Sequence, residues 1–171
     1  MTRTNNWAAF EAAEPEFAKL VRERFGQYPH HVLATLRKDG SPRVSGLNVE
    51  IRGGELWLGM MAGSLKAQDL RHDPRFALHS NPGPDDTMPD GDVRISGTAV
   101  EITDPPELHR YAEEDPENAD THPFHLFRAE LTEVVRTTVK ADDLIITTWH
   151  PDGTPPRTLR RGNDDEPARE D

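Results

Sequence analysis

The first stretch of the chain carries its apolar residues at helical spacing. Trp7, Phe10 and Phe25 belong to a set that recurs every three or four positions across residues 7–25. Pro15 suits the first turn of a second helix, where a missing N–H costs no hydrogen bond. The pattern predicts two consecutive helices whose aromatic face packs onto the rest of the protein.

Strand-like runs then replace the helical spacing. Residues 31–36 predict one strand, residues 43–51 predict its partner, and residues 55–60 predict a third. The glycine-containing turns between them, at 38–41 and 53–54, are too short for the crossover that parallel strands require. This region is therefore predicted to be an antiparallel meander of three strands.

The rest of the chain continues in short elements. Ser64 is placed near the N-cap of a short helix that Pro74 ends, and Gly97 marks a bulge within a strand. The remaining predicted elements are strands over 75–79, 93–102, 124–139, 144–149 and 157–159, and a helix over 105–113. Residues 81–91 predict an exposed loop, and whether that loop is a lid stays open. Six or more strands with short flanking helices predict a mainly β, α+β fold, a closed or partly closed antiparallel barrel.

Length and charge limit the classes of protein to consider. The 171 residues suggest one domain over 7–162, with a flexible N-terminus at 1–6 and a disordered acidic tail at 163–171. Twenty Lys and Arg against 31 Asp and Glu give a net charge of −11, which disfavours nucleic acid and anionic membranes as partners. No apolar run approaches the length of a membrane span, so the cytoplasm is the expected location. The absence of cysteine excludes thiolate catalysis and cysteine-ligated metals.

Eight histidines raise the question of a metal site. The closest pairs are His30 with His31, and His122 with His125. Pro123 argues against the regular helix that would bring the second pair onto one face. No carboxylate arrangement completes a site, so no metal is predicted and these histidines are interpreted as surface or packing residues.

The predicted helix start after Gly63 is the best candidate for binding an anion. Backbone N–H groups at a helix N-terminus attract anions, and Ser64 and Lys66 lie in the same turn. Arg43, on the second predicted strand, could reach this point from the sheet. A serine cap followed by a lysine is also common surface chemistry, so both interpretations stand on this pattern alone.

Several motifs together resemble the pyridoxamine 5′-phosphate oxidase-like family of flavin- and deazaflavin-dependent oxidoreductases, the FMN-binding split β-barrels. Residues 33–44, LATLRKDGSPRV, look like the opening hairpin of that family. Residues 56–59, 63–70 and 73–75 follow in the family's order, and the resemblance covers residues 8 to 104. It implies a split β-barrel homodimer that holds FMN or the deazaflavin coenzyme F-420 in a cleft between protomers.

The resemblance also implies which residues contact the cofactor. Arg43 and Lys66 would hold its phosphate, helped by Ser64. The main chain of Val44, Ser45 and Gly46 would run beside the flavin ring. Gly59 and Met60 would lie near the ribityl chain, and Trp149 would approach the cofactor from the partner subunit. Trp7 and Trp57 are instead interpreted as core or dimer-interface residues.

Two departures from the family pattern narrow the expected function. Leu65 replaces the first of two adjacent basic residues that follow the phosphate-site serine, and residues 157–160 lack the Arg-x-His substrate signature. Vitamin B6 oxidation is therefore not predicted. The expected activity is hydride transfer between FMN or F-420 and a small organic substrate. The alternatives are a non-catalytic flavin or deazaflavin carrier and a haem-binding member of the same fold.

Overall fold

A computed structural model of the protein describes residues 5–84, 88, 90–114, 123–164 and 166–171. Its helices, in chain order, are α1 Trp7–Ala13, α2 Pro15–Gly26, α3 Leu65–His72 and α4 Pro105–Glu113. All four were predicted, including the break between α1 and α2 before Pro15. None of the helices in these ranges is long and apolar enough to cross a membrane.

The described residues form ten strands in one antiparallel sheet. In chain order they are β1 His31–Leu36, β2 Pro42–Leu47, β3 Val49–Arg52, β4 Glu55–Met61, β5 Arg75–His79, β6 Asp92–Ile102, β7 Phe124–Lys140, β8 Asp143–Trp149, β9 Arg157–Arg161 and β10 Arg169–Glu170. The predicted fold class, a mainly β, α+β split-barrel type with short helices, is confirmed.

The long strand β7 organises this sheet. On one side it pairs with β6 along most of its length. On the other side its first part, Phe124–Arg128, pairs with β4, and its last part, Val134–Lys140, pairs with β8. The register with β6 shifts between Ser96 and Gly97, so the predicted irregularity at Gly97 is confirmed.

The predicted meander at residues 31–60 is wrong in one respect. The single strand expected over 43–51 is two strands, because β2 pairs with β1 while β3 pairs with β4. Asn48 lies between them, and its side-chain oxygen is 2.6 Å from His30 Nδ1. A chain that must pair with different partners on its two halves has to bend where the partners separate. This bend leaves β2 with β1 as its only paired strand among the described residues.

A single core fills the interior and includes the aromatic faces of α1 and α2. Trp7 is fully buried, as predicted for a core residue, and its ring meets Phe10 edge to face at 5.5 Å. Trp57 is half-buried and contacts Tyr111 of α4.

Residues near both ends of the chain make hydrogen bonds. Asn6 caps α1 through its Oδ1, which accepts from Ala9 N–H, and Asn5 O accepts from Leu131 N–H. The flexibility of residues 1–6 stays a prediction, and residues 1–4 lie outside the described ranges. In the tail expected to be disordered, Arg169–Glu170 pair with β9 as β10, because charged pairs such as Arg157–Glu170 at 2.6 Å replace apolar anchors.

Candidate functional site

The start of α3 and the edge strand β2 meet in a polar seam. Arg43 of β2 donates from Nε to Asp69 Oδ2 of α3 at 2.6 Å, and Thr35 Oγ1 of β1 donates to the same oxygen at 2.8 Å. Arg43 has no other hydrogen bond within the described residues, so its two terminal nitrogens are available to a ligand.

The carboxylate of Asp69 is buried but remains the charged partner of this pair. Burial by itself would raise the pKa of Asp69. The hydrogen bonds from Arg43 and Thr35 outweigh that effect and hold the pKa below its usual value. Asp69 therefore fixes the guanidinium of Arg43 in one orientation.

Lys66 crosses the same seam one turn earlier in α3. Its Nζ donates to the main-chain oxygen of Gly46, on β2, at 2.8 Å. Partial burial lowers the pKa of Lys66. Arg43 and Lys66, the two cations predicted to converge, thus both connect α3 to β2. Their connections reach the strand at Arg43 and at Gly46, three residues apart.

Two buried hydroxyl groups in this region have no hydrogen-bond partner within the described residues. Ser64 stands at the N-cap of α3 with extended backbone, yet its side chain makes no capping bond. Ser45 lies on β2 between Arg43 and Lys66's acceptor, Gly46. Buried hydroxyls are normally hydrogen-bonded, so these two are candidates for bonding to a water or to a ligand.

The outer face of β2 is exposed and apolar. Val44 is 68% exposed, and a Cβ built on Gly46 would meet no heavy atom within 4 Å. Leu65 at the start of α3 and Met61 at the end of β4 are 56% and 82% exposed. The exposed Val44 and the open space beside Gly46 suit this face of β2 to contact with a flat ring or with another protein surface.

The two positions predicted on β4 differ in what they offer. The side chain of Met60 is buried in the core, so only its main chain could contact a ligand. Gly59 lies on the opposite face, where a Cβ would come 4.0 Å from the hydroxyl of Tyr111 in α4.

Trp149 lies in the core of its own chain. Its side chain is 3% exposed, and its ring centroid is 4.7 Å from that of Phe10. β8 directs this residue inward because it pairs with buried Val134 of β7. The contact of Trp149 with a cofactor in the partner subunit stays a prediction.

A second polar group supports the turn that precedes α3. The main-chain N–H of Gly63 donates to His125 Nε2 at 3.0 Å. Arg71 of α3 lies 3.0 Å from the other ring nitrogen of His125 and forms a two-point ion pair with Glu101 at 2.6 and 2.8 Å. Sequence reasoning assigned His125 to packing and did not identify its contact with this turn.

Sequence reasoning also missed Asp69 and Thr35. An aspartate three residues after a lysine in a short amphipathic helix is ordinary in sequence. Only the alternation of β1, which directs Thr35 to the same face as buried Leu33, could have indicated a polar partner beneath the helix.

Comparison with known proteins identifies relatives of this fold. A family model described as pyridoxamine 5′-phosphate oxidase matches residues 17–138. No curated protein matches the chain.

Three solved structures illustrate the range of similar proteins. A NimC/NimA family protein from Clostridium acetobutylicum is 14% identical, with 77% of this chain and 91% of that one covered and a TM-score of 0.59. PhzG from Burkholderia lata, in complex with tetrahydrophenazine-1-carboxylic acid, is also 14% identical, with 90% and 91% covered and a TM-score of 0.57. HutZ, the haem storage protein of Vibrio cholerae, is 17% identical, with 70% and 89% covered and a TM-score of 0.55.

Proposed function

Because the chain belongs to the pyridoxamine 5′-phosphate oxidase family, we propose that it is an oxidoreductase that transfers a hydride between FMN or coenzyme F-420 and a small organic substrate. Such a cofactor supplies the hydride chemistry itself, so the protein has to bind, orient and polarise its ring. Vitamin B6 oxidation is not part of the proposal, because the substrate signature is missing from residues 157–160.

One observation carries the proposal: two cations link α3 to the edge strand β2, and the strand and the N-cap of the helix each carry a buried hydroxyl without a partner among the described residues. Arg43 and Lys66 span this seam, and Ser45 and Ser64 leave hydroxyl groups without partners. A phosphate group offers several acceptor oxygens, which fits this excess of donors. The residues present therefore fit the anionic end of such a cofactor.

The neighbouring strand fits the flat end. β2 has a free edge among the described strands, so those main-chain groups of the stretch 44–46 that point away from β1 can bond to the edge of a ring, as Gly46 O already does to Lys66. The open space beside Gly46 leaves room for that ring to lie along the strand. Hydrogen bonds from the main chain to a ring edge would orient it and polarise its electrons.

A homodimer with the cofactor at the subunit interface is part of the proposal. Its support is the exposure of three large apolar side chains, Val44 of β2, Leu65 of α3 and Met61 of β4. A second copy that contacts these side chains would cover them and exclude water from the ring.

Ligand binding and turnover test the proposal. FMN and F-420 are titrated separately with wild-type protein and with Lys66→Gln, while the ring fluorescence is followed. We expect wild type to quench one or both rings, and Lys66→Gln to bind about tenfold or more weakly, as for loss of a charged hydrogen bond. The matched control is Lys19→Gln, which changes an exposed lysine of α2 and should leave the affinity unchanged.

Two results would contradict the proposal. One is no quenching of either ring by wild type at concentrations up to about 50 μM, since specific cofactor sites are typically tighter. The other is equal binding by Lys66→Gln and wild type. A carrier on the same fold would bind the ring as well, so reoxidation of the reduced cofactor by quinones, enones and oxygen separates an enzyme from a carrier.

A haem-binding role is the second candidate, favoured by the fold similarity to HutZ. Its axial ligand would have to be an accessible histidine, and His79, His109 and His150 are each more than 40% exposed. A Soret band that appears on adding haem and weakens when one of these is replaced by alanine would support this candidate over the first.

A further inference from the structure

A carboxylate lies inside the proposed phosphate site. Asp69 is buried, and its Oδ2 is 2.6 Å from Arg43 Nε, the closest charged contact in the seam. Thr35 holds the same oxygen from the other side at 2.8 Å. An anion bound by Arg43 would therefore share that guanidinium with a second, permanent anion.

The charges that face the seam from the surrounding elements nearly cancel. Arg43 of β2 is balanced by Asp69 of α3. Arg37, in the turn after β1, lies close enough to lower the pKa of Asp69, but its own neighbour Asp39 balances it. Lys66 is the remaining charge, so the site has a net charge of about +1 before the helix N-terminus is added.

We propose that Asp69 is a specificity-determining residue, an inference that rests on the proposed function. Asp69 would favour binding of a cofactor with a singly charged phosphodiester over one with a doubly charged terminal phosphate. The reason is electrostatic. The first negative charge of a ligand is met by Lys66 and by the free nitrogens of Arg43, whereas a second one faces Asp69 without a further cation to balance it.

The same residue keeps the site in shape. Its bond to Nε orients Arg43 so that the two terminal nitrogens remain for the ligand. Asparagine at position 69 would keep the volume and an oxygen acceptor for Arg43 and Thr35 while removing the charge. The charge and the positioning role can therefore be separated by one isosteric substitution.

The two cofactors of the proposed function differ in the charge of their phosphate. FMN ends in a phosphate monoester, whereas F-420 carries its phosphate as a diester. At the phosphate itself, a site of net charge about +1 favours the diester of F-420.

The test compares two ligands that share one ring. FMN is a monoester with about two negative charges at about pH 8, whereas riboflavin 4′,5′-cyclic phosphate is a diester with one. The dissociation constants of both are measured for wild type, for Asp69→Asn and for the control Asp73→Asn, which removes a carboxylate from the other end of α3 where it pairs with Arg75. Using the same ring in both ligands cancels the ring contribution.

We expect Asp69→Asn to shift the ratio of the two dissociation constants toward FMN by about tenfold or more, the order expected for one unit charge removed from beside the phosphate. Asp73→Asn should leave the ratio unchanged. A ratio that Asp69→Asn does not move, or moves toward the cyclic phosphate, overturns the inference. Failure of wild type to bind any of FMN, the cyclic phosphate and F-420 would instead contradict the proposed function.

A measurement on wild type alone covers the case in which Asp69→Asn does not fold. The inference expects the cyclic phosphate to bind at least as tightly as FMN despite its smaller charge. A measurable wild-type preference for FMN would overturn it.

Discussion

Replacement of Ser64 by alanine should weaken cofactor binding without lowering the stability of the free protein. Ser64 occupies the N-cap position of α3, where serine is ordinarily stabilising. Its hydroxyl is nevertheless buried and has no partner among the described residues, and its side chain makes no capping bond. The two interpretations left open by the sequence, a helix cap and a ligand-binding hydroxyl, therefore predict different signs.

The magnitude follows from the state of that hydroxyl. A buried hydroxyl without a hydrogen bond costs about 1–3 kcal/mol in mutational data. Removing it should leave the free energy of unfolding unchanged or raise it by up to about 1 kcal/mol, since the contacts of the lost oxygen offset part of the gain. Loss of a hydrogen bond to a charged phosphate should cost about 1.5–3 kcal/mol of affinity, a factor of about 10 to 150.

The assay is urea unfolding of Ser64→Ala and wild type, each with and without saturating cofactor. Asp104→Ala is the matched control, because the side chain of Asp104 does cap a helix by accepting from Glu107 N–H at 3.2 Å. That variant should lose about 1 kcal/mol whether or not cofactor is present. If Ser64→Ala loses as much stability as Asp104→Ala in the absence of ligand, the hydroxyl is an ordinary cap and the reasoning is refuted.

Three further predictions concern the fold around the site. Gly97→Ala should lower the urea midpoint by the equivalent of about 3 kcal/mol or not fold at all, because its Cβ would lie 2.2 Å from the main-chain oxygen of Glu130; an unchanged midpoint would contradict the close packing of β6 on β7. Trp149→Ala should cost about 3–5 kcal/mol of stability, because the indole lies in the core. The milder change Trp149→Phe should bind cofactor as wild type does, and a large loss of affinity in this variant would indicate a contact between Trp149 and the cofactor. Burial, with Arg24 and His30 contributing, lowers the pKa of His31 despite an opposing backbone hydrogen bond with Phe25. The stability that neutral His31 provides should therefore be complete above about pH 6.5 and be lost as the pH falls toward the lowered pKa of the folded state. Urea midpoints between about pH 8 and 5 that change equally in wild type and His31→Gln would contradict this.

Much of the fold could be predicted because local signals agreed with the tertiary structure. Pro15 separates α1 from α2, and the glycine turn at 53–54 joins β3 to β4 as expected. The irregularity at Gly97 was also visible, because glycine inside a strand indicates close approach of another backbone. In each case the determinant is the conformation of one residue or its immediate neighbours.

The error in the meander arose where pairing partners decide the outcome. Residues 43–51 look like one strand, and nothing local shows that β2 and β3 pair with different strands on either side of Asn48. The orientation of Trp149 also depends on pairing, through the register of β8 with β7, which sets the face that each residue occupies. A shift of one residue would have directed it outward.

Sequence reasoning identified the two cations of the candidate site, Arg43 and Lys66, but missed its anion, Asp69. Arg43 and Lys66 stand out because the family resemblance carries them and because cations near a helix start suggest phosphate. Asp69 gives no such signal in sequence, since its effect depends on the 2.6 Å contact with Arg43 across the seam. The charge that a site presents to a ligand depends on such contacts and cannot be obtained by counting its basic residues.

The bend at Asn48 connects the fold to the site. A strand with a free edge tends to pair with other chains unless it is covered. β2 has a free edge among the described strands because the chain leaves it to build β3 on β4, and Lys66 of α3 bonds to Gly46 O of β2. Within the described part of the chain, the unpaired main chain of β2 and the exposed Val44 beside it are the features that a flat ring and a second subunit would require. The split of the barrel is therefore the feature from which both the proposed cofactor site and the proposed dimer interface derive.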